Sequence, residues 1–214
     1  AERLEMKLAG KLPHAEQAIL AKSVKTIVDQ VDAMKRLVNE FRDYARLPAA
    51  ELHPLDLNAL VTDVLHLYGE ENATVRVVPE LDPRCPPIAG DAQQLRQVVH
   101  NLLQNAQDST EQARAGTAEP VPPVRISTRW SESSRRVRLT VSDSGGGFPA
   151  HILQRAFEPY VTTKPRGTGL GLAVVKKIAD EHGARIELSN RTENDVVRGA
   201  QVSLSFAPEP AVAS

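Results

Sequence analysis

The chain has one cysteine, Cys85, in 214 residues. A lone thiol makes no internal disulfide and lacks a second thiolate with which to hold zinc, so the fold must be stabilised by burial. Aromatic residues make up only 4%, which leaves the core to aliphatic side chains. Neither sign of charge is in excess: 26 Lys plus Arg stand against 27 Asp plus Glu, a formal charge of -1. No general field attracts nucleic acid or an anionic membrane, and nucleic-acid binding is not expected. Long apolar runs are also missing, since nothing approaches the roughly 18 to 20 residues that a membrane helix needs. The opening Ala1-Glu2-Arg3-Leu4 lacks the order of a signal peptide. The remainder, 41% apolar and 25% charged, is a globular composition. The expectation is a soluble, cytoplasmic piece of a longer protein, with any membrane attachment lying upstream.

What is present begins with a heptad seam. Leu20, Val24, Ile27, Val31, Met34, Val38, Phe41 and Ala45 are spaced alternately by four and three residues, the pattern of a helix that buries one stripe against another helix. A helix over Glu16 to Arg46 reaches about 46 Å at 1.5 Å per residue, longer than a small core can cover. A shorter helical pattern through Leu4 and Leu8, interrupted at Gly10 and Pro13, suggests the first arm of a helical hairpin. Pro48 and Pro54 then bracket a linker. The expected organisation is a partial hairpin over 1–47, a linker over 48–55, a globular domain over 56–207 and a disordered tail over 208–214.

Within the globular part, Asp56 can cap a helix, and residues 74–78 read as a strand. Asp91 with Gln94 resembles a capping box that opens a helix burying Leu95, Val98, Val99, Leu102 and Ala106. A polar loop over 116–123 leads into Val124 to Trp130 and Val137 to Val141, two runs of period two joined at Ser131 to Ser134 as an antiparallel hairpin. Leu172 to His182 reads as a helix stopped by Gly183, and Arg185 to Leu188 and Gln201 to Phe206 as two closing strands. The order α, β, α, β, β, α, β, β predicts an α+β fold: a two-layer α/β sandwich with a mixed sheet covered by helices on one face.

Three segments carry chemistry. Asn101, Asn105 and Asp108 stand at i, i+4 and i+7, on one stripe of a helix. Asp143-Ser-Gly-Gly-Gly147 ends a strand with a carboxylate, followed by backbone that a ligand can approach closely. Gly167-Thr-Gly-Leu-Gly171 opens a helix, where free N–H groups and the helix dipole favour an anion. The dinucleotide fingerprint is excluded because no strand precedes these glycines, and no P-loop motif occurs.

In this order, the segments resemble the nucleotide-binding signature of the GHKL ATPase superfamily, with its Bergerat fold, and within it bacterial sensor histidine kinases. His100-Asn101-Leu-Leu-Gln-Asn105-Ala-Gln-Asp108 is similar to their N box, Asp143 to Gly147 to the G1 box, Phe157-Glu-Pro-Tyr160 to the F box and Gly167 to Gly171 to the G2 box. The wording of Phe157 to Lys164 and of Asp56-Leu-Asn-Ala-Leu60 resembles the nitrogen-regulation, NtrY-like branch, and the long helix resembles the second helix of the family's dimerisation and phosphotransfer hairpin.

The resemblance implies ATP and Mg²⁺ as ligands. It makes Asp143 the acceptor for the adenine amino group, with Gly145, Gly147 and Asp108 beside it, and Asn105 the metal ligand, assisted by Asn101. Gly167, Thr168, Gly169, Leu170 and Gly171 would cradle the phosphates, Lys164 and Arg166 would reach them, and 148–166 would form a lid. It implies a homodimer through the hairpin and a response-regulator receiver domain as partners. Hydrolysing members carry a Glu where this chain has Asn101, and an amide cannot act as a general base at neutral pH; transfer to a neutral imidazole needs none, so kinase is favoured over ATPase. None of the six histidines stands in the family's phosphoacceptor box, and Ala1-Glu-Arg-Leu4 resembles the stretch just after it. The acceptor is therefore expected upstream. The competing reading is a nucleotide-dependent interaction module without productive phosphotransfer, and phosphate incorporation into a separate acceptor hairpin separates the two.

Overall fold

The computed structural model describes residues 13–68, 75–114, 121–164 and 167–209. The expected first hairpin arm, Arg166 and the last five residues lie outside them. The chain forms two compact units: one up to Leu47, which also takes in Lys164, Gly167 and Thr168, and one made of the rest from Pro48 onward.

The first unit is dominated by α1 (His14–Ala45), a single helix of 32 residues. Of its heptad positions Val24 is buried, whereas Ile27, Val31, Met34, Val38 and Phe41 are 44–65% exposed. Thr168 Oγ1 donates to the Glu40 carboxylate within this unit. No helix among the described residues is long and apolar enough to cross a membrane.

The second unit is a five-stranded sheet in the order β2-β4-β5-β7-β6, built from β2 (Val77–Leu81), β4 (Val124–Ser131), β5 (Arg136–Ser142), β6 (Arg185–Glu193) and β7 (Val196–Phe206). β2 runs parallel to β4 and the remaining pairs are antiparallel, which makes the sheet mixed as expected. Period-two side chains explain its one-sided cover: Val124, Ile126, Val137, Leu139, Leu204 and Phe206 are buried on one face. Against that face lie α2 (Leu57–Tyr68), α3 (Ala92–Arg114) and α5 (Gly171–Glu181), with α3 touching β4, β5 and β7 and also α2 and α5, while a four-residue helix, α4 (Ala150–Leu153), lies between α3 and α5 in the chain. The opposite face carries Arg125, Arg129 and Arg138, and there half-buried Thr140 places its Oγ1 3.0 Å from Oγ of buried Ser203.

Four expectations change. The 48–55 segment is not a bare linker: β1 (His53–Leu55) pairs antiparallel with β3 (Ile88–Gly90), and Glu51 N–H donates to Asp91. The second strand runs later than 74–78, because Pro79 is tolerated on the edge of the sheet, where its missing N–H breaks no ladder. The last two strands are longer than expected, since Asn194 and Asp195 adopt positive φ of 50° and 61° and close a two-residue hairpin turn. Pro208 and Glu209 are not tail: Pro208 bridges to Ile88 and Glu209 N–H donates to Pro87 O at 2.8 Å.

Candidate functional site

The site is built on α3, the longest helix of the second unit. Asp91 Oδ1 accepts the N–H groups of Gln93 and Gln94 at 2.9 and 3.1 Å and satisfies two of the helix's orphan donors. The capping box is only half made, because Gln94 Nε2 donates to Pro48 O instead of returning to Asp91. The Asp91 N–H goes to His182 Nε2 at 2.9 Å, and His182 Nδ1 lies 2.8 Å from Ile178 O. The start of α3 and the end of α5 are thereby joined through one imidazole. α5 itself stops as the sequence requires: Gly183, φ 57°, is followed by Ala184 N–H donating to Ala179 O, a Schellman closure. Burial works to raise the Asp91 pKa, but the N–H groups of Gln94, Glu51 and Gln93 outweigh it and hold the carboxyl below its usual value.

From α3 the two amides face α5. Asn101 Nδ2 lies 3.5 Å from Gly171 O, and a Cβ on Gly171 would stand 3.4 Å from Asn105 Nδ2. Gly169, φ 71°, is pressed against the backbone of Tyr160 and Val161, where a Cβ would come within 2.5 Å, and Gly169 O accepts the Tyr160 N–H. The F-box turn and the glycine turn are thus one packed unit. Leu170 is fully buried beneath them.

The end of β5 meets the same helix. Asp143 is 7% exposed, and its Oδ1 accepts the N–H groups of Gly145 at 2.8 Å and Ala200 at 3.1 Å, which fixes the plane of the carboxylate. Gly145 sits on Ser109 so closely that a Cβ would be 2.7 Å from its carbonyl oxygen. Ser144 N–H donates to Thr110 Oγ1, itself bound to Ala106 O. Gly147 has φ 71° and lies against Asn190 and Val197.

The structure therefore brings Asn101, Asn105, Asp108, Asp143, Gly145, Gly147, Gly169, Leu170 and Gly171 into one unit. Lys164, Gly167 and Thr168 group with α1, and Arg166 is outside the described residues. Sequence reasoning missed Ser109, Thr110, His182, Asn190, Arg191 and Gly199. Only Ser109 and Thr110 were within reach of it, as small polar residues one turn beyond Asn105.

The donor set suits a magnesium nucleotide. No group of three or more His, Cys, Asp or Glu side chains among the described residues could cage a metal. Mg²⁺ needs no such cage, since it keeps waters and takes phosphate oxygens with one or two protein oxygens. The amides of Asn101 and Asn105, whose nitrogens lie toward the N-terminus of α5, would leave their oxygens to offer such a metal beside an anion-binding end.

A helix-covered mixed sheet whose polar groups gather between the N-box helix, the end of the central strand and the start of the glycine-led helix is the architecture of a GHKL catalytic domain. The family model for histidine kinase-, DNA gyrase B- and HSP90-like ATPases (HATPase_c) matches residues 90–210, and the chain belongs to that family. It is 35% identical over 214 residues to the nitrogen regulation protein NtrY of Azorhizobium caulinodans, covering 98% of this chain and 26% of that protein. A sensor histidine kinase described as NtrY-like in Rickettsia bellii is 32% identical over 205 residues, covering 96% of this chain and 31% of the relative. The chain thus spans about a quarter to a third of these relatives. Among solved structures, full-length ShkA in complex with AMPPNP aligns with a TM-score of 0.67 at 27% identity, over 95% of this chain and 42% of that one.

Proposed function

We propose that the chain is the ATP-binding catalytic region of an NtrY-like two-component sensor histidine kinase, acting on a histidine outside the 214 residues. The observation that carries this is the meeting of Asn101 and Asn105 with Gly171 beside a strand-end carboxylate held by Gly145 and Ala200. Asp143 accepts the adenine amino proton. Asn105, with Asn101 beside it, offers an amide oxygen to Mg²⁺, whose chemistry is to neutralise and align the phosphates. Asp108, Gly145 and Gly147 shape the adenine side. Gly169 to Gly171 present backbone N–H groups to the phosphates at the start of α5, and the family pattern extends that role to Gly167, Thr168, Lys164 and Arg166. The AMPPNP in the ShkA complex supports an adenine nucleotide as ligand. Asn101 places no base beside the phosphates, which favours transfer to an imidazole over hydrolysis.

A response-regulator receiver domain is the onward partner. The exposed stripe of α1 is the surface through which the whole protein would dimerise, and the chain would be the cytoplasmic part of a membrane-bound sensor. The experiment is calorimetric titration of the chain with Mg-ATP and Mg-GTP, then incubation of the chain and labelled ATP with a separate hairpin bearing an acceptor histidine. ATP binding tighter than GTP and acid-labile label on the hairpin are the expected results. Equal affinities would remove the adenine assignment, and ATP binding without label would favour the interaction module.

A further inference from the structure

Two consecutive residues of β6 hold the two ends of the Asp143–Phe148 segment. Arg191 Nη1 donates to Asp143 O at 2.8 Å. Asn190 makes a reciprocal pair with Phe148, accepting its N–H at 2.8 Å and donating Nδ2 to its carbonyl at 2.8 Å. Successive strand side chains point to opposite faces, so the two clamps act from opposite sides of the sheet. Asn190 lies on the helix-covered side with Ile186 and Leu188, half-buried, and Arg191 on the open side with Glu187 and Ser189, exposed.

The route of Arg191 is prepared by its neighbours. It pairs with Gly199 of β7, and the register shifts immediately after it. A Cβ on Gly199, φ 143°, would stand 2.1 Å from Asp143 O. The missing side chain is what lets the guanidinium cross β7 and reach the strand beyond. The Asp143 main chain is then fixed on both sides, its N–H to Ala200 O and its carbonyl to a charged donor. At the other end Asn190 imitates a strand rung to Phe148, and it also occupies the space that a Cβ of Gly147 would enter at 2.8 Å.

We propose that Asn190 and Arg191 are positioning residues for nucleotide recognition: Arg191 sets the main chain from which Asp143 reads adenine, and Asn190 sets Phe148, where the lid segment begins. This rests on the adenine role given to Asp143 above. Neither side chain belongs to the apolar core, so their loss falls on affinity and nucleotide preference more than on stability.

The test uses the full 214-residue chain, titrated with Mg-ATP and Mg-GTP, with thermal unfolding and far-UV circular dichroism measured alongside. Arg191→Ala is expected to weaken ATP by about tenfold, as for one lost charge-assisted hydrogen bond to a part-buried carbonyl. It should change GTP little, because guanine presents an oxygen where adenine presents its amino group. Arg191→Lys, which keeps a charged donor, should recover most of the preference. Where the alanine chain does not fold, Arg191→Gln takes its place with the same expectation. Asn190→Asp retains the acceptor for the Phe148 N–H but loses the donor to its carbonyl. Its ATP affinity, relative to the unaltered chain, should improve as pH falls from about 7 toward the ordinary carboxyl range near 4, where the acid proton replaces the amide donor.

Asp143→Ala is the reference. If it abolishes the ATP preference while Arg191→Ala and Asn190→Ala only lower the unfolding temperature, the positioning role is overturned and the adenine reading stands. If Asp143→Ala leaves the preference intact, the adenine reading fails first. A flat pH profile for Asn190→Asp also overturns the role of Asn190.

Discussion

The Asp143 carboxylate accepts two main-chain N–H groups through one oxygen, so its chemistry can be altered while its shape is kept. Asn in its place can present the amide oxygen to Gly145 and Ala200 and turn an NH₂ toward the adenine amino group, donor against donor. Asp143→Asn is therefore expected to fold normally and to lose ATP affinity by tenfold or more, on the order of 1–3 kcal/mol, read by calorimetry beside a thermal melt. A melt that collapses together with binding would show that the carboxylate serves the fold instead. Gly199 is the opposite case. A methyl group there meets the Asp143 carbonyl at a φ that side chains rarely adopt, and Gly199→Ala should destabilise the chain by roughly 2–4 kcal/mol in denaturant titration. The amides and Asp143 were legible in the sequence because their side-chain types and helical or strand-end spacing are local. Asn190 and Arg191 were not, since they bond main-chain atoms 42 and 48 residues away, and a main-chain partner leaves no residue type to recognise.

Among the elements, α3 carries the most. Its Asp91 cap joins Glu51, Gln93, Gln94 and, through the Asp91 N–H, His182. Because the Asp91 pKa is lowered in the folded chain, the stabilisation that it adds is complete above the unfolded carboxyl value, about 3.9. It is lost as pH falls through the depressed folded value. Asp91→Ala should cost about 1 kcal/mol at neutral pH, and the difference from the unaltered chain should shrink on acidification into that range. A difference that stays constant with pH would mean that the carboxylate is not the origin. The cap was legible as an Asp ahead of an apolar period. The way Gln94 is used was not, because Pro48 is distant in sequence. The Asn194-Asp195 turn is a pair that readily adopts positive φ, but the polar run Ser189 to Glu193 lacks the apolar alternation of a strand, so one expected strand ends at Leu188 and the next opens only at Gln201. The lid segment has few apolar anchors, Ile152, Leu153 and Phe157 being only half-buried or less apart from buried Ala156. Mg-ATP should slow its amide exchange, and identical exchange with and without nucleotide would argue against a lid.

At the scale of the whole chain, all the motifs of the nucleotide site are present and no histidine stands in a phosphoacceptor box. The chain incubated with labelled Mg-ATP should bind it and gain no acid-labile phosphate, whereas an acceptor hairpin added in trans should be labelled. Labelling of His14 or another histidine of the chain at a kinase-like rate would overturn this. The α+β architecture and the sheet's composition were legible because period-two and period-3.6 patterns are carried by single segments. The strand order was not, since it is fixed by packing between segments.

That order has a kinetic consequence. β6 and β7 are joined by a two-residue turn and can zip locally within microseconds, whereas β2 can pair with β4 only after the chain has looped through α3, a closure of low probability. The single tryptophan, Trp130, sits on β4 with its main-chain N–H on Asp82, at the end of β2. Its fluorescence is thus a reporter of a non-local pairing that closes across α3. In stopped-flow refolding, ellipticity from helices and the local hairpin should rise before the tryptophan signal settles, and ATP-binding competence should appear with the later phase, because the helix that bears the amides is itself the crossover.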